Sequence, residues 1–343
     1  MNNAITDVPG IQIGHYTDMD ALTGTTVILV KEGAVAGVDI RGAAPGTRET
    51  DLLNPTNLVD EVNAIVLSGG SAYGLASADG VMKYLQAQKI GYPVGGGNVV
   101  PIVPAAVLFD LGRCGTDFKV WPDAGFGYNA CLNAKDGLIA QGNVGAGTGA
   151  QSGGLKGGIG TASTDLGDGV IVGAIVAVNA VGSTVNPETG EFYAGFLERD
   201  NEFGELKPPN LDALVKSRQL MDKGDDAPIG NTTIAVVATN VSLTKAQAQK
   251  IAQMAHDGMA RAIRPSHTMF DGDTIFAVST KKISLDKLQN LKNVPVSINK
   301  IGSTAADTLS RAIVHGMLAA ESVDGCMKNY CDTYPDACSN RRK

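Results

Sequence analysis

The residue best placed to do chemistry is Thr232, which lies between a polar stretch and an apolar one. Residues 198–226 are rich in proline, glycine and charged side chains, a composition typical of exposed, irregular backbone. Residues 232–239 are β-branched or small and apolar, which predicts a buried strand. If the chain were cut between Asn231 and Thr232, the new α-amine, with a reference pKa of about 7.7–8.0, could act as general base for the hydroxyl of the same residue.

Two other interpretations fit the same residues. A plain loop-to-strand junction needs no chemistry, because threonine is favoured in strands for its shape alone. The sequences that begin at Asn231 and Asn240 also match the acceptor pattern for glycosylation. Glycosylation requires secretion, and the start of the chain has neither the basic region nor the apolar region of a signal peptide. The N-terminus therefore predicts a cytoplasmic protein.

The dense glycine segment at residues 142–160 raises a different function. Within it, residues 145–150 fit the dinucleotide fingerprint G-x-G-x-x-[GA], and Asp165 follows about twenty residues later, where a ribose-binding acid is expected. An NAD(P)-dependent oxidoreductase is therefore the alternative function. The fingerprint must open a helix, and the five glycines of residues 151–160 disfavour one by about 1 kcal/mol each. Lys156 in this loop is either a cation close to a reaction centre or a solvated lysine.

Polar residues also stand at the ends of two predicted strands. Asn179 follows the apolar run 170–178, where its amide could stabilise an oxyanion or only form a turn. Asp271 and Asp273, separated by one glycine, precede the predicted strand 274–280. This pair could hold an ammonium group or a metal ion, or mark a hairpin-type turn.

The elements that must position these residues are mixed helices and strands. Thr244 with Gln247 predicts the capping box of one helix, and Thr304 with Asp307 predicts the start of the last one. The turn near Tyr73 is a near miss of the serine nucleophile elbow, because this tyrosine stands where a second glycine is needed. Further strands are predicted over residues 11–16, 25–30, 35–40 and 63–67. No regular βαβ alternation and no repeat is evident, which favours an α/β (α+β) architecture with one extensive core.

Composition excludes several classes of protein. The chain has 343 residues, 43% of them hydrophobic, and a net charge of −7 without a Lys/Arg stripe, so neither disorder nor a nucleic-acid partner is expected. No apolar run approaches the length of a membrane span.

The five cysteines are expected to be free thiols, as is usual in the cytoplasm. The alternative is a disulfide or metal site within the tail, where Cys326, Cys331 and Cys338 lie.

Taken together, these motifs resemble the P1 family of peptidases. This family comprises self-cleaving N-terminal-nucleophile aminopeptidases, among them β-aminopeptidases, D-aminopeptidases and nylon-oligomer hydrolases. The resemblance spans nearly the whole chain. Its carriers are residues 38–42, 45–50, 67–75, 103–110, 230–234 and 271–274.

The resemblance implies a fold and a processing event. The fold would be a four-layer α/β/β/α sandwich of the N-terminal-nucleophile type, forming a single peptidase domain over residues 1–343. The precursor would be cleaved into a large subunit, 1–231, and a small subunit, 232–343. Cleaved heterodimers would assemble into a homotetramer or a larger homo-oligomer, and no cofactor or metal would be required.

The resemblance also implies roles for residues. Thr232 would be the nucleophile, attacking first the carbonyl of Asn231 and later the substrate, a small peptide or amide. Asn179 looks like the family's oxyanion donor. Asp271 and Asp273 match its acidic pair, which would position the new amine or receive the substrate's ammonium group.

Three further residues are carried over by the resemblance. Lys156 matches a lysine near the nucleophile in the nylon-hydrolase branch. Phe109 stands where characterised members have a tyrosine, so a transition-state hydrogen bond from that position is not expected here, and a change in substrate choice is expected. Phe109 and Tyr73 are expected to contact the substrate. An uncleaved relative that only binds amines is a further alternative, and the sequence leaves open whether the amide is an α-, β- or D-peptide or a synthetic oligomer.

Overall fold

One long strand, β2, connects the two halves of the fold. The structure is a computed structural model that describes residues 1–215, 230–285 and 293–341. Its strands are β1 Gln12–Asp18, β2 Thr23–Ile40, β3 Gly46–Arg48, β4 Glu61–Ser68, β5 Tyr92–Gly95, β6 Asn98–Val100, β7 Ala105–Val107, β8 Gln151–Ser152, β9 Leu155–Lys156, β10 Ile159–Asp165, β11 Ile171–Ala177, β12 Ile234–Val241 and β13 Thr274–Ile283. Its helices are α1 Ser77–Ala87, α2 Ala124–Leu132, α3 Lys245–Ala262, α4 Val294–Ala319 and α5 Tyr330–Thr333.

The main sheet has the order β10-β11-β12-β13-β2-β4-β7-β3, and β1 also pairs with β2. The pairs β12/β13 and β4/β7 are parallel, and the other pairs of this sheet are antiparallel. Residues 35–40 of β2 pair with β13, whereas residues 25–29 pair with β4. The two strands predicted over 25–30 and 35–40 are therefore one strand, interrupted by an irregularity between Leu29 and Ala34.

Alternate residues of the strands define four layers. In β2, Val27 and Leu29 pack in the cluster that contains the buried faces of α1 and α2, whereas Ile28 lies in a middle cluster. In β12, Val236 lies in that same middle cluster, and Val237 packs with the buried faces of α3 and α4. A strand presents successive side chains to opposite faces. The layers are therefore helices, one half of the main sheet, the middle core, the other half of that sheet, and helices. This order confirms the α/β/β/α arrangement.

The predicted helix starts are half correct. Thr244 and Gln247 form the reciprocal capping box of α3, with N–H to side-chain oxygen distances of 3.3 and 2.9 Å. The start predicted at Thr304 is wrong, because α4 begins at Val294 after an Asn293 cap, and Thr304 is buried inside the helix. Residues three apart share one helix face, so the spacing of a capping box also occurs within a helix.

The expectation of free thiols is wrong for most of the cysteines. Cys114 is bonded to Cys326, 212 residues later, and Cys331 is bonded to Cys338. Cys131 is free and buried, and burial raises the pKa of its thiol to about 12. The pairing partner of Cys114 is set by the tertiary fold, which cysteine spacing alone does not reveal.

The stretch predicted as exposed and irregular, residues 198–226, is only partly described. Within its described part, Phe203 is buried, and the half-buried Glu202 pairs with Arg311 at 2.7 Å and with His315 at 2.8 Å, so the expectation of exposure is wrong there. Residues 216–226 lie outside the described part. Among the described residues, no helix is long and apolar enough to cross a membrane.

Candidate active site

Thr232 lies two residues before β12, at the loop-to-strand junction that the sequence predicts, and it is buried. The sheet explains what surrounds it. Ile234 pairs with Ala177 of the antiparallel neighbour β11 and with Thr274 of the parallel neighbour β13. The segment that leaves β11 and the segment that enters β13 therefore both lie beside Thr232. These are the segments that carry Asn179, Asp271 and Asp273.

The hydroxyl of Thr232 lies against the peptide bond that precedes it. It donates a short hydrogen bond to the carbonyl oxygen of Asn231 and accepts one from the N–H of Gly272 at 3.0 Å. The N–H of Thr232 donates to the carbonyl oxygen of Asn179 at 2.6 Å. The chain is continuous through Asn231 and Thr232, so the structure is that of the uncleaved polypeptide.

Gly272 has no room for a side chain. A Cβ atom there would lie 2.5 Å from the carbonyl oxygen of Ala44 and 2.9 Å from Oγ1 of Thr232. Contacts below about 3 Å require the neighbours to move. The glycine between the two acids therefore lets its own N–H reach the threonine hydroxyl.

The two acids bind backbone N–H groups around Thr232. Among the described residues, neither acid forms a hydrogen bond with the Thr232 hydroxyl. Asp273 accepts the N–H of Thr233 at 2.8 Å on one oxygen. Asp271 accepts the N–H of Val181 at 3.2 Å, and Thr268 donates to its other oxygen. Burial, and then the neighbouring Asp273, raise the pKa of Asp271. No cluster of His, Cys, Asp or Glu that could hold a metal occurs in the described ranges.

Two histidines behind this pair escaped the sequence analysis. His267 contacts the second oxygen of Asp273 through both its backbone N–H, at 2.9 Å, and Nδ1, at 2.8 Å. The ring of His256 packs edge-on against it at 4.8 Å, and its Nε2 lies 3.0 Å from the carbonyl oxygen of Asp39. Burial lowers the pKa of His256 to about 4. The signal that could have found them is rarity, since the chain has only four histidines and His267 lies four residues before Asp271.

Asn179 is at the site, as predicted, but its contact with Thr232 is through the backbone. Its side-chain Nδ2 donates to the carbonyl oxygen of Phe109 at 3.2 Å, and its Oδ1 accepts the N–H of Gln151 at 3.1 Å. One hydrogen of the amide is therefore engaged, and the amide plane is fixed from both ends.

Arg113 is a third residue that sequence reasoning missed. It is buried, and its Nη2 donates to Oδ1 of Asn231 at 2.9 Å, to Oδ1 of Asn179 at 3.3 Å and to the carbonyl oxygen of Phe109 at 3.2 Å. Burial lowers its pKa to about 10, and Asp110 opposes the shift. Nothing in the local sequence marks this arginine, because its partners lie up to 118 residues away.

Lys156 and Asp110 are buried residues whose pKa values are influenced by the charge of Arg113. The ammonium of Lys156 is fully buried and donates to the carbonyl oxygens of Gly147 and Gly157 at 2.9 and 2.6 Å. Burial, and then the charge of Arg113, lower its pKa to about 7. Burial raises the pKa of Asp110 to about 6, although its carboxylate accepts two hydrogen bonds. Lys156 is thus not solvated. Among the described residues its ammonium donates to backbone carbonyl oxygens and forms no hydrogen bond with Thr232.

A cavity of about 290 Å³ opens beside Thr232. Phe109 lines it, and the ring packs so closely on Gly230 that a Cβ there would lie 2.9 Å from Cγ of the phenylalanine. Gly230 also has φ +139°, which favours glycine. Tyr73 is not among the described residues that line the cavity, and its exposed ring stacks on Trp121 at 4.3 Å.

The glycine segment does not have the geometry of a dinucleotide site. Residues 145–147 form a buried single turn, and a Cβ on Gly147 would lie 2.3 Å from the backbone nitrogen of Ile159. The two-stranded hairpin of β8 and β9 follows, where the fingerprint requires a helix. This segment packs beneath the Thr232 site, and Gln151 within it donates to Asn179.

Comparison with known proteins places this geometry in context. The model of peptidase family S58 matches residues 3–331. An uncharacterized aminopeptidase of Mycobacterium leprae is 45% identical, over 98% of this chain and 95% of its own length. A 6-aminohexanoate-oligomer endohydrolase of Paenarthrobacter ureafaciens is 32% identical, over 90% of this chain and 84% of its own.

Two solved structures have the same fold. A β-aminopeptidase of a Burkholderia species superposes with a TM-score of 0.69 at 23% identity and covers 99% of this chain and 94% of its own. The L-aminopeptidase D-Ala-esterase/amidase of Ochrobactrum anthropi, described as a variant of the Ntn hydrolase fold, gives 0.69 at 20% identity and covers 98% of this chain and 95% of its own.

Proposed function

The chain belongs to peptidase family S58 and is a hydrolase of the aminopeptidase and amide-hydrolase type, and we propose that it matures by cutting itself between Asn231 and Thr232. The observation that carries this proposal is the contact of the Thr232 hydroxyl with the Asn231 carbonyl. A nucleophile and its target carbonyl held in contact convert a bimolecular step into an intramolecular one.

Self-cleavage proceeds through an ester. The oxygen of the Thr232 hydroxyl attacks the carbonyl carbon of Asn231, the carbon–nitrogen bond breaks, and the nitrogen of Thr232 takes up the hydroxyl proton. Water then hydrolyses the ester and releases the carboxyl group of Asn231. The N–H of Gly272, 3.0 Å from the hydroxyl oxygen, favours the negative charge that develops on it.

The mature enzyme repeats this chemistry on an amide substrate. The free amine of Thr232 takes the hydroxyl proton, and the oxygen attacks the substrate carbonyl to form an acyl-enzyme. The amine product leaves with a proton, and water releases the acyl group. Asn179 has one amide hydrogen that Phe109 does not engage, and this hydrogen stabilises the oxyanion.

The acid pair orients the nucleophile by fixing the backbone on either side of it. Asp273 fixes the N–H of the residue after Thr232, and His267 fixes Asp273. Asp271 fixes Val181, two residues after Asn179. These bonds hold the hydroxyl, the amine and the oxyanion donor in one arrangement, so the acids act as positioning groups. Lys156, whose pKa is influenced by the charge of Arg113, holds the backbone of the glycine segment through its bonds to Gly147 and Gly157.

The substrates that this site suits are peptides or short amino-acid oligomers with a free N-terminus. The cavity of about 290 Å³ beside Thr232 is large enough for one or two residues. Phe109 gives one wall an apolar face, and no cofactor takes part in the reaction. The absence of a nucleic-acid partner and assembly into a homotetramer stay predictions. The cytoplasmic location also stays a prediction, and the two disulfides weigh against it, because such bonds persist mainly in oxidising compartments.

The test compares Thr232→Ala with Thr233→Val. The hydroxyl of Thr233 is buried without a hydrogen-bond partner among the described residues, and the valine side chain keeps its shape. We expect wild-type protein and Thr233→Val to yield a fragment with Thr232 at its N-terminus and to hydrolyse amino-acid p-nitroanilides. Thr232→Ala is expected to stay intact and inactive, because it has no nucleophile.

Two results would contradict the proposal. One is full amidase activity in Thr232→Ala. The other is a wild-type enzyme that is active while N-terminal sequencing finds only Met1.

A further inference from the structure

The precursor is its own first substrate, if the proposed self-cleavage is correct. The residue whose carbonyl is attacked is Asn231, so the contacts of its side chain mark the subsite for the acyl residue of later substrates. That side chain is buried, and its Oδ1 accepts a hydrogen bond from Nη2 of Arg113 at 2.9 Å. Its backbone N–H points to the carbonyl oxygen of Phe270 at 3.4 Å, where a free substrate amine would lie.

The guanidinium of Arg113 has an unfilled donor. Its Nε is buried and has no hydrogen-bond partner among the described residues. The N–H of Nε and one N–H of Nη2 lie on the same edge of a guanidinium group and point in the same direction. Asn231 accepts from Nη2, and Nε donates to none of the described residues. A carboxylate in the same place would accept from both donors.

Departure of Asn231 would leave Arg113 short of acceptors. Among the described residues, its remaining hydrogen-bond acceptors are the carbonyl oxygen of Phe109 at 3.2 Å and the amide oxygen of Asn179 at 3.3 Å, both uncharged. Asp110, whose charge acts on this guanidinium, accepts hydrogen bonds from the N–H of Gly70 and the hydroxyl of Thr23. A buried charge without enough acceptors is costly, so an incoming oxygen acceptor is favoured.

The position of this guanidinium is fixed by its loop. Arg113 begins a single turn, residues 113–115, that contains Cys114 in the left-handed region at φ 57°. The disulfide from Cys114 to Cys326 ties this turn to the C-terminal tail. The arginine is therefore held as a preorganised donor.

We infer that Arg113 is a specificity-determining residue of the acyl subsite, and that the enzyme prefers substrates whose N-terminal residue carries a carbonyl or carboxylate oxygen on its γ-carbon, namely aspartate or asparagine. This inference rests on the proposed function and names its substrate class. Leucine has the same branched shape as these residues but no acceptor, so it would leave the arginine unsatisfied.

The experiment measures kcat/KM of the mature wild-type enzyme on the p-nitroanilides of L-Asp, L-Asn and L-Leu. We expect both polar substrates to exceed the leucine substrate by about 10- to 150-fold, the factor that corresponds to one hydrogen bond to a charged group. Aspartate is expected to exceed asparagine, because only the carboxylate fills both donors. Arg113→Met is expected to bring the ratio of Asp to Leu close to or below one.

The outcomes separate the inference from the proposed function. Cleavage of the leucine substrate as fast as the polar ones overturns the inference and leaves the amidohydrolase intact. Protein that shows no fragment and cuts none of the three overturns both. If Arg113→Met does not mature, inhibition of the wild type decides: free L-aspartate inhibiting at lower concentration than L-leucine supports the inference, and equal inhibition overturns it.

Discussion

The disulfide between Cys114 and Cys326 gives the proposed self-cleavage a specific signature on gels. Cys114 belongs to the proposed large fragment, 1–231, and Cys326 to the small one, 232–343. The second disulfide, Cys331–Cys338, lies wholly within the small fragment and links nothing else to it. Cleavage of the peptide bond alone therefore leaves the two fragments covalently joined.

The expected masses follow from the lengths of the fragments. Of 35.3 kDa in total, 231 of 343 residues correspond to ~24 kDa and the remaining 112 to ~12 kDa. Without reductant the processed enzyme should migrate as one species near the full mass, heavier than the precursor by one water. With reductant it should separate into two. Both cysteines of the linking bond are exposed, so a mild reductant reaches them without unfolding the protein.

The assay is electrophoresis of one preparation with and without reductant, followed by intact-mass measurement. Cys326→Ser is the matched variant, since it removes the link and leaves Thr232 and its neighbours unchanged. It should separate into two fragments under denaturing conditions even without reductant. Buried Cys131, with a pKa raised to about 12, is unsuited to replace the lost partner.

Each possible failure refutes a different step. Two separate fragments from the wild type without reductant would refute the disulfide. A single chain in the presence of reductant, from enzyme that is active, would refute the cleavage.

Loss of the Cys114–Cys326 disulfide should also lower the free energy of unfolding of an uncleaved Thr232→Ala chain, by at most about 5 kcal/mol for a closed loop of this length.

Two further predictions concern the residues around Thr232. Gly272→Ala should slow self-cleavage by roughly 100-fold, because the new Cβ would lie 2.9 Å from Oγ1 of Thr232 and displace it; the cleaved fraction over time on reducing gels measures this, and an unchanged rate would contradict the proposed geometry. Burial lowers the pKa of Lys156 to about 7, so between pH 7 and about 10 the unfolded chain binds more protons than the folded one. In thermal melts, the stability of the wild type should therefore rise over this pH range relative to that of Lys156→Met. Parallel curves of stability against pH for the two proteins would show that the lysine titrates normally.

The position of Thr232, the proposed nucleophile, at a loop-to-strand junction was predictable because it is a local feature of the chain. The change from polar loop to apolar strand at Thr232 is visible in the sequence, and β12 begins at Ile234, two residues from the predicted start. The acids before β13 and the amide after β11 stand out for the same reason, since each polar group is next to an apolar run. Their convergence, in contrast, depends on strand order, which no local pattern contains.

The features that sequence reasoning missed are long-range. Lys31, Glu32 and Gly33 interrupt the apolar pattern of β2 and predict a break, yet the strand continues through a local irregularity because its two ends pair with different neighbours. Arg113 and His267 act on residues brought to them by the folded chain. The start of α4 was obscured by an interior hydroxyl, Thr304, at the spacing of a capping box.

The sheet also implies an order of events. Thr232 is held by Asn179 after β11, by Gly272 before β13 and, through Asn231, by Arg113. None of these contacts exists until β11, β12 and β13 have paired, because the three segments come from distant parts of the sequence. An unfolded chain thus has no activated hydroxyl at this bond. The proposed self-cleavage would therefore follow folding, and a cut before Thr232 would free an amine beside strands that have already paired.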